Sequence, residues 1–270
     1  MNRVDPRAEP FSLSGGKVNC LLLHGFTASP SEMRFMGDFL NQRGYSVCAP
    51  LLPGHGTTPE DLNSTGWADW YLAAGEIAER LVEKGDPVVV VGLSMGALLA
   101  LEAGARIRGI SGIVVINPPL ILRDWKTYWS RVIKVFRHYV PKNIDASYKE
   151  MEKQGRFAYD RIPLRAMVSM QSMGKDVMRR LEFINTPVLI VQSGKDNTVD
   201  PRACKILQRG LPPGKNELLQ LPEAEHVATM GKERVWLATE VADFIERILG
   251  VGSDKIEEAD KWPGPGGGLA

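Results

Sequence analysis

Cysteine is scarce in this chain: Cys20, Cys48 and Cys204 are the only three in 270 residues. An odd, widely spaced set among apolar neighbours does not make a disulfide framework, so buried reduced thiols are expected. None has a second Cys or a His at metal-ligand spacing, so no structural metal is expected. An excess of charge of one sign is also missing. Lys and Arg number 33 against 32 Asp and Glu, a formal +1, and the two signs are mixed along the chain. Such a balance creates no field to draw nucleic acid or an anionic membrane surface. No apolar run is long enough to span a bilayer, and residues 1–7 lack the apolar centre of a signal peptide. Stable membrane insertion is therefore not expected, and the default location is cytoplasmic. Nucleotide-binding glycine patterns and internal repeats are absent as well. What remains, 44% hydrophobic and 24% charged, is an ordinary globular composition with room for a large α/β core, and its partners are expected to be neutral or small. Oligomeric state is not legible in it.

The informative stretch is Gly92-Leu93-Ser94-Met95-Gly96. It follows four consecutive valines, 88–91, and opens a run of helix formers, 97–103. A G-x-S-x-G between a buried strand and a helix is a nucleophile elbow, a turn so tight that Gly92 and Gly96 must lack side chains. Ser94 would stand at its tip. The helix N-terminus beneath would aim the Met95 N–H at negative charge forming on a substrate carbonyl.

Around the elbow, short apolar strands alternate with helical segments. Strands are expected over 18–23, 45–49, 87–92, 109–116, 188–192 and near 217–221, and helices over 32–44, 67–84, 95–106, 201–210 and 232–249. The pattern predicts βαβ crossovers and a mostly parallel sheet with helices on both faces. Ser29-Pro30-Ser31-Glu32 combines an N-cap serine, a proline at the first helical position and a glutamate at the third. The alternation breaks from 118 to about 180. There Trp125, Tyr128, Trp129, Val132, Ile133, Phe136, Tyr139 and Val140 recur at helical spacing, with basic residues opposite. The expectation is a core of 1–117 and 181–249 and a helical cap insertion of 118–180 over the C-terminal edge of the sheet, where open α/β sheets bind ligands. The stripe either packs on the main domain or lines an acyl pocket, with Trp125, Trp129, Ile133 and Phe136 as candidates. Residues 250–270, rich in charge and then in Gly and Pro, cannot build a core and read as a flexible tail.

A serine hydroxyl needs a base, and the base needs an orienting acid. Of four histidines, His138 falls on the expected insertion helix, and His24 and His55 precede the elbow. His226 follows the last strand, as the order serine, acid, histidine requires. Asp196 and Asp200 compete for the acid. Asp200 precedes a proline that opens a helix and reads as an N-cap, whereas Asp196 sits free in the loop after its strand, which favours Asp196. The loop 23–28 reaches the same sheet edge, so the Phe26 N–H is the natural second oxyanion donor, with His24 and Gly25 shaping the turn.

Leu21-Leu22-Leu23-His24-Gly25-Phe26-Thr27, Leu52-Pro53-Gly54-His55-Gly56, the elbow, Lys195-Asp196 and His226-Val227 together resemble the α/β-hydrolase superfamily, closest to bacterial thermostable carboxylesterases and monoacylglycerol lipases. The resemblance runs from about residue 17 to 249. It implies Ser94, Asp196 and His226 as a triad, Phe26 and Met95 as oxyanion donors, a cap matching 118–180, no cofactor, and hydrolysis of short- to medium-chain acyl esters or monoacylglycerols. Another acyl substrate, acyl transfer, or a ligand-binding receptor on the same scaffold are the alternatives.

Overall fold

The computed structural model describes residues 2–123 and 137–250. Its centre is a seven-stranded sheet in the order β1-β3-β2-β4-β5-β8-β9. The strands are β1 (Phe11–Leu13), β2 (Asn19–Leu23), β3 (Ser46–Ala49), β4 (Val88–Leu93), β5 (Ile110–Ile116), β8 (Val188–Ser193) and β9 (Asn216–Leu221). Every pairing is parallel except β1 with β3. β1 gave no signal in the sequence, because three residues are too few to show a period of two.

The helices flank both faces, as the alternation predicts. They are α1 (Arg34–Gln42), α2 (Pro59–Asn63), α3 (Trp67–Glu83), α4 (Met95–Arg106), α5 (Ala146–Lys153), α6 (Leu164–Met178), α7 (Arg202–Gly210) and α8 (Arg234–Leu249). β4 shows why both faces are covered. Successive strand side chains point to opposite sides, and all six of its residues are buried. Val88 and Val90 join a core with α3, α4, α6 and α7, while Val89 and Val91 join a second with α1 and α8. A strand buried twice must be apolar at every position, hence the unbroken valine run. Among the described residues no helix is long and apolar enough to cross a membrane. Cys20 and Cys204 are buried free thiols and Cys48 is half-buried and free.

The segment between β5 and β8, expected to be a helical insertion, carries the helices α5 and α6 among its described residues but is not helical throughout. It contains an antiparallel pair, β6 (Tyr139–Pro141) with β7 (Arg161–Pro163). Tyr139 and Val140, assigned to the helical stripe, lie in β6, and His138 sits beside it in non-helical backbone. Each strand is three residues long and ends in proline, so its pairing partner, distant in sequence, decides its conformation rather than local pattern. Trp125, Trp129, Ile133 and Phe136 lie outside the described residues. α6 sends Met170, Met173 and Val177 into the core shared with α3 and α4.

A buried charge ties the turn after α6 to α4. The Glu102 side chain is 0% exposed, and its Oε1 accepts from Arg106 Nε at 2.6 Å and Arg180 Nη1 at 3.0 Å. Removing the carboxylate strands two partly exposed guanidinium groups. Glu102→Ala should therefore lower unfolding free energy by about 1–3 kcal/mol in urea titrations, the usual range for orphaning such partners. An unchanged midpoint would mean that the cluster contributes nothing net.

Candidate active site

The elbow is built by close backbone contact. A Cβ placed on Gly96 would lie 2.1 Å from the Leu23 carbonyl oxygen, and one on Gly92 would lie 2.1 Å from the Gly96 oxygen. The end of β2, the end of β4 and the start of α4 thus touch with no room for a methyl group. Ser94 is left at φ 54°, ψ −114°, a conformation that costs a non-glycine residue about 1–3 kcal/mol. The surroundings hold it there: its N–H donates to Ile116 O at 2.8 Å, and its carbonyl accepts from Ala97 N at 2.9 Å.

From the Ser94 hydroxyl a hydrogen-bonded chain runs inward. His226 Nε2 lies 3.0 Å from Ser94 Oγ, and His226 Nδ1 lies 2.8 Å from Asp196 Oδ2. The other carboxylate oxygen, Asp196 Oδ1, accepts from the N–H groups of Thr198 at 2.7 Å and Val199 at 2.9 Å. Burial pushes the Asp196 pKa up, but the hydrogen bond and charge of His226 and these two amides outweigh it, and the net shift is downward. An ionised Asp196 accepts from Nδ1–H, which leaves the Nε2 lone pair facing the serine proton. Asp200 stands apart from this chain. Its Oδ1 accepts from Arg202 N at 2.8 Å, at the start of α7, and its hydrogen bonds to the Arg202 side chain and backbone hold its pKa down to about 2.

Two residues that no motif singled out for the site hold this geometry. Asn117, at φ 50° after β5, donates from Nδ2 to Ser193 Oγ and to the His226 carbonyl, each at 2.8 Å, and accepts from Ser193 N at 2.9 Å. It thereby pins the histidine loop to the end of β8. In sequence it shows only as an Asn-Pro strand ending. The second is Glu32. Ser29 does cap the turn, accepting from Ser31 N at 3.4 Å, but the turn is a 3₁₀ segment, Pro30–Met33, and Glu32 points inward instead of capping. Its Oε2 accepts from Gly25 N at 3.2 Å, and its Oε1 from Arg156 Nε and Nη2 at 2.8 and 2.6 Å.

Gly25 places the 23–28 loop beside the serine, since a Cβ there would lie 3.6 Å from Ser94 Cβ. Residues 156–159 strap this loop from above. Besides Arg156 on Glu32, Phe157 N donates to Ser31 Oγ at 3.0 Å and Tyr159 N to Thr27 O at 2.8 Å. From below, His24 Nε2 accepts from Leu52 N at 3.1 Å while its Nδ1 donates to Gly25 O at 2.9 Å. Both nitrogens are thus used in the neutral form, and burial lowers the His24 pKa to about 4. His55 packs edge-on against His24, and burial keeps it neutral too.

Ser94 and His226 open into a cavity of about 510 Å³, within the range of small-molecule sites. Of its lining, Phe26, Leu122, Ile162 and Met167 pack in one apolar cluster and Met170 is apolar too, while Glu32, Lys142, Tyr148, Arg156 and Glu225 are polar. A hydroxyl hydrogen-bonded to a base that is oriented by a buried carboxylate, in a pocket of this size, is equipped for nucleophilic attack on a carbonyl carbon.

The curated relatives agree in length and outline. A carboxylesterase of Bacillus subtilis (strain 168) is 29% identical over 249 residues, covering 92% of this chain and 99% of its own length. A thermostable monoacylglycerol lipase of Bacillus sp. (strain H-257) is 29% identical over 243 residues, covering 90% and 96%. Among solved structures, one from the work on LipS and LipT, two metagenome-derived lipolytic enzymes, superposes with a TM-score of 0.83 at 29% identity, covering 91% of this chain and 100% of the other. The monoacylglycerol lipase of Paleococcus ferrophilus superposes at 0.75 with 18% identity over 89% of this chain and 99% of its own, a likeness of fold. The model of the Hydrolase_4 family, described as serine aminopeptidase S33, matches residues 16–233, so the chain belongs to that family, and its sheet and crossovers are those of the α/β-hydrolase fold.

Proposed function

We propose that this chain hydrolyses carboxylic esters through an acyl-enzyme on Ser94. The observation that carries the reading is the continuous chain Asp196–His226–Ser94 ending at the pocket. In it, His226 Nε2 takes the Ser94 proton as Oγ attacks the ester carbonyl carbon. The amides of Phe26 and Met95 receive the oxyanion, and Asp196 stabilises the imidazolium. Collapse breaks the bond to the alcohol oxygen, which leaves with the proton from His226. Water, deprotonated by His226, then adds to the acyl carbon and releases the acid.

The names of the two Bacillus relatives, a carboxylesterase and a monoacylglycerol lipase, support carboxylic esters or monoacylglycerols as substrates, and short- to medium-chain acyl groups are the reading we favour. The apolar wall of Phe26, Leu122, Ile162, Met167 and Met170 is suited to the acyl chain, each buried CH₂ contributing about 0.8 kcal/mol. Segment 118–180 acts in this reading as the cap over a core of 1–117 and 181–249. The family's description favours one second reading, hydrolysis of an amide, which uses the same residues with an amine as the leaving group.

The direct test is active-site titration with 4-nitrophenyl butyrate and 4-nitrobutyranilide side by side. One equivalent of nitrophenol should appear in a burst, and an aryl phosphonate should label Ser94. Ser94→Ala should lose both, with kcat down by roughly a thousandfold or more. Turnover within tenfold of wild type in that variant would remove Ser94 from the mechanism, and a burst from the anilide alone would make the enzyme an amidase.

Asp196 and Asp200 separate by role. Asp196→Asn should lower kcat by about 10³–10⁴ by misorienting His226. Asp200→Ala should leave kcat within threefold but cost about 0.5–2 kcal/mol of stability through the lost cap. The Asp200 pKa is depressed in the folded state, so its contribution is complete above pH 4 and is lost as pH falls toward 2. Denaturation of the pair across pH 2–6 should therefore show two curves that converge at the acid end.

Glu32 is a positioning residue for the oxyanion loop in this reading. Glu32→Ala should lower kcat by about ten- to a hundredfold, less than the loss of a whole oxyanion donor, with KM nearly unchanged. Glu32→Gln, which still accepts from Gly25 N, should recover part of it. A fall in Tm with kcat intact would reduce Glu32 to a packing role.

A further inference from the structure

The polar side of the pocket holds more charge than ester hydrolysis requires. Three of its acids are already engaged. Glu32 is bound by Arg156 and Gly25 N. Asp145 accepts from Tyr148 N at 2.9 Å at the start of α5. Glu225 accepts from the Ser147 hydroxyl. Of the two cations, Arg156 is held by Glu32 and lies 5.1 Å over the Tyr148 ring. Lys142 is different. Among the described residues its ammonium makes no hydrogen bond and no ion pair, although the side chain lines the cavity with Ser94 and His226.

The backbone fixes where Lys142 stands. It follows β6 directly, and its N–H donates to Asp160 O at 2.9 Å across the β6–β7 pair. The residue is half-buried and lines the cavity. The titratable groups that act on it are Arg156, Glu32 and Asp160, with His55 held neutral by burial. Burial and then the neighbouring Arg156 push its pKa down to about 7, against the opposing pull of Glu32 and Asp160. A cation short of water, beside a second cation and with the nearby acids committed elsewhere, gains most from an anion that a ligand brings.

We infer that Lys142, flanked by Arg156, forms an anion-recognition subsite in the same cavity as Ser94, and that the preferred esters carry a carboxylate or phosphate on the arm that reaches it. The substrate part of this inference rests on the esterase reading; the binding of the anion does not. A bound anion stabilises the ammonium form, so binding takes up a proton near neutral pH and weakens as pH rises. The ester bond stays at Ser94, and no step of the acyl-transfer chemistry changes.

Two matched pairs test it and separate the two sources of the anion. Mono-4-nitrophenyl glutarate is compared with 4-nitrophenyl pentanoate, and 1-butyrylglycerol 3-phosphate with 1-butyrylglycerol. In at least one pair the anionic member should have a kcat/KM at least tenfold the higher at pH 6.5, and the advantage should shrink by pH 9. Lys142→Met should cut that ratio at least fivefold. Lys142→Arg, whose charge does not titrate in this range, should keep it and flatten its pH dependence. Calorimetry of glutarate and of glycerol 3-phosphate binding to Ser94→Ala, with and without Lys142→Met, reads the subsite without turnover, and melting curves show that each variant is folded. Neutral esters preferred in both pairs, or a ratio and a binding constant unmoved by Lys142→Met, would overturn the inference. Anion binding that depends on Lys142 in a protein that turns over none of the four esters would instead overturn the esterase reading and leave the subsite standing.

Discussion

Three backbone segments meet at the elbow closer than side chains permit. A Cβ on Gly96 would reach 2.1 Å from Leu23 O, and one on Gly92 the same distance from Gly96 O. Everything at the site follows from this approach. It bends the chain sharply enough to leave Ser94 at a positive φ, it sets the N-terminus of α4 under the hydroxyl, and it brings the 23–28 loop alongside. The strain is local and affordable because β4 and α4 are almost wholly buried, and the hydrophobic stabilisation of that core far exceeds a cost of about 1–3 kcal/mol.

A loop beside a strained turn still has to be held in one conformation, and here both sides of the sheet edge contribute. Leu52 N on His24 fixes the imidazole from below. From above, Arg156 on Glu32, Phe157 on Ser31 and Tyr159 on Thr27 bring residues 156–159 down onto the loop. Residues 156–159 and the loop that carries the candidate oxyanion donor Phe26 are therefore joined by an ion pair and two hydrogen bonds donated by backbone N–H groups. Movement of the first would disturb the second, since breaking the buried Glu32–Arg156 pair would leave charge without a partner.

The pocket divides by polarity for a reason visible in its construction. Its apolar wall comes from Phe26, Leu122 and the side chains Met167 and Met170 of α6, a helix anchored in the main core. Of the polar lining, Lys142, Tyr148 and Arg156 come from the stretch around β6 and α5, Glu32 from the 3₁₀ turn Pro30–Met33 and Glu225 from the loop after β9.

Much of the fold was legible in the sequence because its signals are local. Val88–Leu93 is apolar at every position because it is buried on both faces, and α4 begins at Met95, where the glycine pattern and the helix formers place it. Ser94, Asp196 and His226 could be picked out for similar reasons: a glycine-bracketed serine, an aspartate with no cap to make, and a histidine after the last strand. What the sequence could not show depends on partners far along the chain. β6 and β7 are three residues each and exist only through their pairing. Glu32 sits where a capping glutamate belongs, and only the arrival of Arg156, 124 positions later, turns it inward onto Gly25. The same holds for Asn117, which reaches Ser193 and His226 across the sheet edge, and for Lys142, whose ammonium makes no ion pair among the described residues while Glu32 beside it is taken by Arg156. Periodicity, capping and turn chemistry act over a few residues and so determined the elements and their order. Side-chain hydrogen bonds and ion pairs act through space, and only the tertiary structure decided them.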